Sequence, residues 1–188
     1  MMRLVLAAAA LLSLSACGSV GESLETMRLA SEKNIGVCPN VFALEDAARM
    51  IDFVGDPSLD NVAWSAEITD VRTACRIQAD RPITATVEID FAVGKGPAAS
   101  GTVKDLTYFV AVTRRNREVI AKTEFTVPVK IEGGIATVRL SDDVDGIVIP
   151  RKDGDTAGTN FEIAVGLSLD RQQVLFNRSG ESLKFPNL

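Results

Sequence analysis

Ile83-Thr84-Ala85-Thr86-Val87-Glu88-Ile89-Asp90-Phe91-Ala92-Val93 carries an apolar side chain at every odd position, set against Thr84, Thr86, Glu88 and Asp90. A period of two places the odd residues on one face of a β-strand and the even ones on the other. Such a strand buries one face and wets the other. A partner layer must cover Ile83, Ala85, Val87, Ile89, Phe91 and Val93, so the run predicts packed sheets.

The same period continues on both sides. Upstream, Val62, Trp64, Ala66 and Ile68 alternate with polar neighbours, then slip out of phase near Asp70-Val71 before Cys75 and Ile77, which predicts a bulge or turn. Downstream, Gly94-Lys95-Gly96-Pro97 breaks the strand, and Leu106 to Thr113 is apolar on both faces, as a central strand reads. Arg114-Arg115-Asn116-Arg117 makes a polar turn. Val119, Ala121, Thr123, Phe125, Val127, Val129 and Ile131 then define one face of a further strand. Pro128 lies on its other face and removes a ladder donor, placing that strand at a sheet edge or a bulge. Gly133-Gly134 turns into Ala136 to Leu140, Ser141 to Gly158 reads as a polar loop holding the short run Ile147-Val148-Ile149, and Phe161 to Leu169 is the last strand. About seven strands at hairpin spacing predict a mostly β fold: a single antiparallel immunoglobulin- or fibronectin-like β-sandwich over residues 37–188.

One helix is expected before the strands. Between Val41 and Val54, Leu44, Ala47, Ala48, Ile51 and Val54 recur at three- and four-residue steps, Glu45 and Arg49 form an i,i+4 pair, and Gly55-Asp56-Pro57 supplies a stop. This predicts a short N-terminal amphipathic helix packed on the domain's own sheet; a partner-binding helix is the other reading.

The N-terminus has a different character. Met1 to Ala16 holds one positive charge, an apolar stretch from Leu4 to Leu14 and small residues before Cys17, the three parts of an export signal. The apolar run falls well short of the roughly 20 residues that span a bilayer. Leu14-Ser15-Ala16-Cys17 resembles the lipobox of bacterial lipoproteins, which implies removal of residues 1–16 and a diacylglyceryl group on the Cys17 thiol. An ordinary signal peptide followed by a coincidental cysteine is the bland alternative. Gly18-Ser19, in place of acidic residues after Cys17, implies by the same resemblance an outer-membrane address facing the periplasm. Residues 17–36 are mostly polar and short on large apolar residues, and read as a tether.

Loss of residues 1–16 removes Arg3 and no acid, leaving 19 Lys and Arg against 25 Asp and Glu, a net charge of −6. A mildly acidic chain argues against nucleic acid and against electrostatic adhesion to anionic lipid as partners, so the lipid itself is expected to hold the membrane. With Cys17 used, Cys38 and Cys75 remain as a pair. In an oxidising compartment an even remainder reads as a disulfide; two buried thiols or a redox pair are the alternatives, the latter without the usual C-x-x-C spacing.

Signals for catalysis are sparse. The chain has no histidine, which removes the commonest general base, the usual catalytic zinc ligand and every Ser-His or Cys-His arrangement. Neither Ser-x-x-Lys nor Gly-x-Ser-x-Gly occurs, and Gly94 to Gly101 lacks the Gly-Lys-Ser/Thr end of a phosphate loop. Asp142, Asp143 and Asp145, with Asp153 and Asp155 and glycines at 146 and 154, are weak calcium candidates. An EF-hand would need an acid at Ser141 and a glutamate at Lys152. Asn177-Arg178-Ser179 matches a glycosylation sequon, read as coincidence.

Cys38-Pro39, Leu44-Glu45-Asp46-Ala47, Tyr108-Phe109-Val110-Ala111-Val112, Val119-Ile120-Ala121-Lys122, and Val165-Gly166-Leu167 through Phe176-Asn177-Arg178 together resemble a family of small envelope lipoproteins of Gram-negative bacteria. The resemblance covers most of the mature chain. It rests on strand patterns, so it implies a fold and an envelope location and supplies no activity. The expectation is a non-catalytic structural or protein-interaction module without a cofactor, with an envelope protein as partner. A carrier of a lipid or other apolar ligand and a histidine-free hydrolase are the alternatives. A closed core near Tyr108 and Trp64 would favour interaction, a lined pocket the carrier.

Overall fold

A computed structural model describes residues 36–78, 81–115, 118–134, 136–151 and 157–185. The lipobox, Cys17 and the tether up to residue 35 lie outside the described residues. Among the described residues eight strands form two four-stranded sheets: β1 (Asn40–Ala43), β8 (Phe161–Leu167), β5 (Val103–Arg114) and β6 (Val119–Lys130) in one, and β2 (Arg49–Phe53), β3 (Val62–Arg76), β4 (Ile83–Lys95) and β7 (Ala136–Ile149) in the other. All pairings are antiparallel except β1 with β8. Residues 35–188 make one compact unit, and the whole hydrophobic core lies inside it.

The alternation that decides the fold is realised in β4. Ile83, Ala85, Val87, Ile89, Phe91 and Val93 are all buried, facing Leu106, Tyr108, Val110, Val112, Ile163 and Val165 of the other sheet within one core. The phase slip read at Asp70-Val71 is a bulge between Ile68 and Asp70, where β3 keeps its pairing with β4. β5 lies between β6 and β8, as its two apolar faces require, and Pro128 sits on β6 at the sheet edge, where a missing N–H costs no ladder bond. Gly96, in the connection after β4, is a packing glycine: a Cβ there would stand 2.2 Å from the Val62 carbonyl oxygen.

Three expectations are corrected. The span 41–54 is not a helix; it is β1, a 3-10 turn at Glu45–Ala47, and β2. Met50 and Ile51 are adjacent and both buried, whereas Leu44 and Val54, assigned to the helix stripe, are exposed. Pairing of Asn40–Ala43 with β8 and of Arg49–Phe53 with β3 satisfies the backbone and overrides the local period. Arg49 accordingly pairs with Glu67 at 3.2 Å, not with Glu45. Secondly, Ser141–Ile149 is no loop. β4 offers a partner along its whole length, so β7 continues through the aspartates, with a register shift opposite Ala85–Val87 and Gly146 at φ 69°. Thirdly, the face expected of β6 holds from Phe125 to Ile131, but a bulge opposite Val112–Thr113 turns Val119 outward and Ile120 toward the core.

Finally, the helix present among the described residues is C-terminal: α1 (Arg171–Arg178). Its start is set by a capping box in which the Asp170 carboxylate accepts from Gln173 N–H and the Gln173 side chain accepts from Asp170 N–H. We expect Asp170→Ala to lower unfolding free energy by about 1 kcal/mol in a urea titration, since one carboxylate satisfies an otherwise orphaned helix N–H.

Candidate functional site

Cys38 and Cys75 are bonded, with their Cα atoms 5.6 Å apart. The bridge joins the residues before β1 to the end of β3 and so ties a four-residue edge strand of one sheet to the longest strand of the other. That is the disulfide the even remainder of cysteines led us to expect.

The space between the sheets is occupied. Tyr108 is fully buried, its ring 5.2 Å from Phe91 and 5.4 Å from Phe125, centroid to centroid, and Trp64 is 6 % exposed. The Tyr108 hydroxyl donates to Asp142 Oδ2 of the opposite sheet at 2.6 Å. Burial, with the adjacent Asp142 carboxylate, pushes the phenol well above its ordinary value, because tyrosinate would be a desolvated anion beside another. Below pH 10 the neutral phenol stabilises the fold; that contribution fades as pH rises past the unfolded-state value and is gone above the folded-state one. Tyr108 is the single tyrosine, so absorbance at the tyrosinate band reads it alone. We expect no tyrosinate in the folded protein near pH 10 and its appearance only together with unfolding; an ordinary titration near pH 10 in folded protein would contradict this assignment.

The strand pleat also decides the calcium candidates. Asp142 points to Tyr108 on the core side, Asp143 is exposed on the opposite face beside Glu88, and Asp145 accepts from the Thr86 hydroxyl at 2.8 Å. The pleat thus separates Asp142 from Asp143 and Asp145 and leaves two of the three carboxylates on one face, fewer than the six to eight oxygens that calcium takes. Among the described residues no three His, Cys, Asp or Glu side chains are grouped to hold a metal, and Asp153 and Asp155 lie outside them.

On the outer face of the second sheet, Arg72 faces Asp70, Glu88 and Asp90. Hydrogen bonds to Glu88, then Asp90, raise the guanidinium further, and a hydrogen bond from the Ser141 hydroxyl, followed by Arg72, holds the Asp90 carboxyl below its usual range. All these charges are satisfied by one another in solvent, which fits a strand-bridging network better than a reactive group.

An open groove of about 490 Å³ lies between α1 and the outer face of the first sheet, lined by Leu44, Phe109, Lys122, Glu124, Leu169 and Val174 among others. Lys122 lies over the Phe109 ring at 4.4 Å, and Glu124 accepts from the Ser168 hydroxyl at 3.0 Å. Gly166 sits below Phe109: a Cβ there would approach its ring to 2.7 Å. The helix wall is pinned by Asn177, whose amide donates to the carbonyls of Asp46 at 2.9 Å and Arg49 at 2.7 Å, and by the Phe53, Phe176 and Phe185 rings. Both amide hydrogens of the sequon residue are thus used within the fold. This groove was not legible in the sequence, because its wall is the unread helix α1; the capping box Asp170-x-x-Gln173 was the available signal. Among the described residues no helix is long and apolar enough to cross a membrane. The chain matches no protein-family model, no curated protein and no solved structure.

Proposed function

We propose that this chain is an envelope lipoprotein, anchored through a lipid on Cys17 and facing the periplasm, whose sandwich is a non-catalytic interaction module of immunoglobulin-like type. The topology supports the type. β4 pairs with β7 and β5 with β8, as strand B pairs with E and C with F in immunoglobulin domains, and the β5–β6 hairpin stands where C and C′ stand. β1, running parallel to β8, takes the place of the last strand.

The observation that carries the functional reading is the filled interlayer space around Tyr108. A carrier of this architecture needs a cavity between its layers, and here Phe91, Tyr108 and Phe125 occupy that position, with the one polar atom satisfied by Asp142. Recognition is left to the surface, where the groove beneath α1 combines apolar floor and charged rim. Photo-crosslinkers placed at Leu44 and Leu169 in intact envelopes are expected to give a discrete partner that a crosslinker at Val148, on the other sheet, does not give. Identical labelling from all three positions, or none, would overturn the interaction reading.

A further inference from the structure

Among the described residues the sheet edges are β1 and β6 in the first sheet and β2 and β7 in the second. An edge strand presents a row of backbone donors and acceptors to other chains, and proteins blunt such edges by shortness, cover or charge. β1 is four residues long. Against β2 lie the C-terminal residues: the Arg49 guanidinium donates to the Ser182 and Phe185 carbonyls, and Phe53 packs on Phe176 and Phe185. β7 carries Asp142, Asp143 and Asp145 and is bent at Gly146, φ 69°, so a second copy of it would bring acids against acids. β6 differs from all three. It runs for twelve residues, with Lys122 and Glu124 side by side on its outer face.

The hydrogen-bond phase of β6 is set at its end, where the Ile131 N–H donates to the Thr102 carbonyl just before β5 at 2.8 Å. Successive residues of a strand turn their N–H and C=O to opposite sides, and the β5–β6 register is unbroken from Ala121 to Lys130. Odd residues of β6 therefore serve β5, and Lys122, Glu124, Thr126 and Pro128 face the open edge. Pro128 has no N–H to offer, and the bulge beyond Ala121 breaks the row at the other end. When an identical strand pairs antiparallel across a two-fold axis, each residue faces one of its own parity. An axis at Lys122 or at Glu124 sets like charges against each other. One at Phe125, Thr126 or Val127 sets Pro128 opposite a member of the row, and one at Ala121 runs into the bulge. An axis at Thr123 alone brings Lys122 opposite the second copy's Glu124 and Glu124 opposite its Lys122, each pair exchanging two backbone bonds. On the inward side it brings the exposed Ala121 opposite Phe125, which is half-buried and stacked on Tyr108.

We propose that this chain dimerises through β6, two copies pairing antiparallel about Thr123 to form one continuous sheet with four strands from each copy. The attraction comes from backbone groups that have no other strand to meet and from cover over Ala121 and Phe125. The charges choose the register, because opposite charges facing across two strands stabilise the pairing and like charges oppose it. Lys122 and Glu124 are each about half exposed, so they can turn from each other, at 3.4 Å within one strand, to the second copy without a buried charge being left behind.

The test uses residues 17–188 with Cys17→Ala, exported behind a cleavable signal and followed by sedimentation equilibrium over a concentration series. The parent is expected to pass from monomer to dimer. Lys122→Glu and Glu124→Lys each turn two symmetry-related attractions into repulsions and weaken dimerisation about 30-fold, at the usual size of cross-strand pairs. Mixed in equal amounts, the two variants are expected to dimerise as the parent does, since each then meets the opposite charge on the other; the double exchange in one chain restores it too. Loss of folding cannot produce that reciprocity, and circular dichroism checks each variant. Facing residues at the axis stand about 4.5 Å apart between Cα atoms, so Thr123→Cys is expected to oxidise to a covalent dimer, whereas Thr126→Cys, away from the axis, is not. A parent that stays monomeric, as it would with another part of its own chain seated on β6, overturns the proposal. So does a mixture no better than either variant alone, or linkage through residue 126 as ready as through 123. The measurement is made on the purified chain, so its failure is distinct from failure of the anchor or of the groove beneath α1.

Discussion

A chain with Cys17→Ala, exported behind a cleavable signal that leaves residue 17 at its N-terminus, is expected to move completely from the membrane fraction to the soluble one, while its thermal unfolding matches that of the parent domain. On the proposed reading the Cys17 thiol takes the diacylglyceryl group through a thioether bond, and alanine has no sulfur with which to form it. Two or three acyl chains, at about 0.8 kcal/mol per buried methylene, hold a protein through any practical dilution, whereas removal of all of them leaves only weak surface contacts. The change is therefore all-or-none. Mass spectrometry of the parent chain should show a diacylglyceryl adduct on Cys17; an unmodified parent N-terminus, or a variant still recovered with membranes at high salt, would refute the lipoprotein reading. The core of Tyr108, Phe91 and Ile163 is built from residues after 36 and gives no reason for the domain to unfold when residue 17 changes.

The second large effect concerns stability. Cys38→Ser with Cys75→Ser is expected to lower the unfolding free energy by roughly 4 kcal/mol, because the bridge closes a loop across a sequence separation of 37 and removes that much freedom from the unfolded chain in the loop-entropy description. Single domains keep only about 5–15 kcal/mol in hand, so this is a large fraction of the whole. The native side adds to it. β1 is four residues long and pairs only with β8, and the bridge is what fixes its leading end to β3. A urea titration of the parent, with and without reductant, against the double variant measures the effect. The reduced parent should match the variant, and a midpoint unchanged by reductant would show the bridge to be energetically idle.

Much of the fold was written in local periods. β4 and β8 read directly from alternation, β5 from a run apolar on both faces and β6 from an alternation that holds from Phe125 onward, and the slip at Asp70 and the edge position of Pro128 were legible because bulges and prolines leave marks in a strand pattern. The segment 41–54 misled because two short strands around a 3-10 turn happened to space their apolar residues like a helix, and nothing within the segment announced that β8 and β3 would supply partners. The aspartates of β7 misled in the opposite sense: polar composition reads as loop, yet an edge strand needs only one neighbour and can keep acids on its wet face.

By itself, the sequence determined the mostly β class of the fold and the absence of histidine from any chemistry, and it pointed to Cys38 with Cys75 on the proposal that Cys17 carries lipid, because these depend on residue identity and short-range spacing. Only the tertiary structure decided the functional geometry. It closed the core over Tyr108, set Asp142 on one face of β7 and Asp143 with Asp145 on the other, and built a groove beneath α1. The physical reason is that surfaces are assembled by pairing between segments far apart in the chain, and a concavity shared among several elements leaves no period in any one of them.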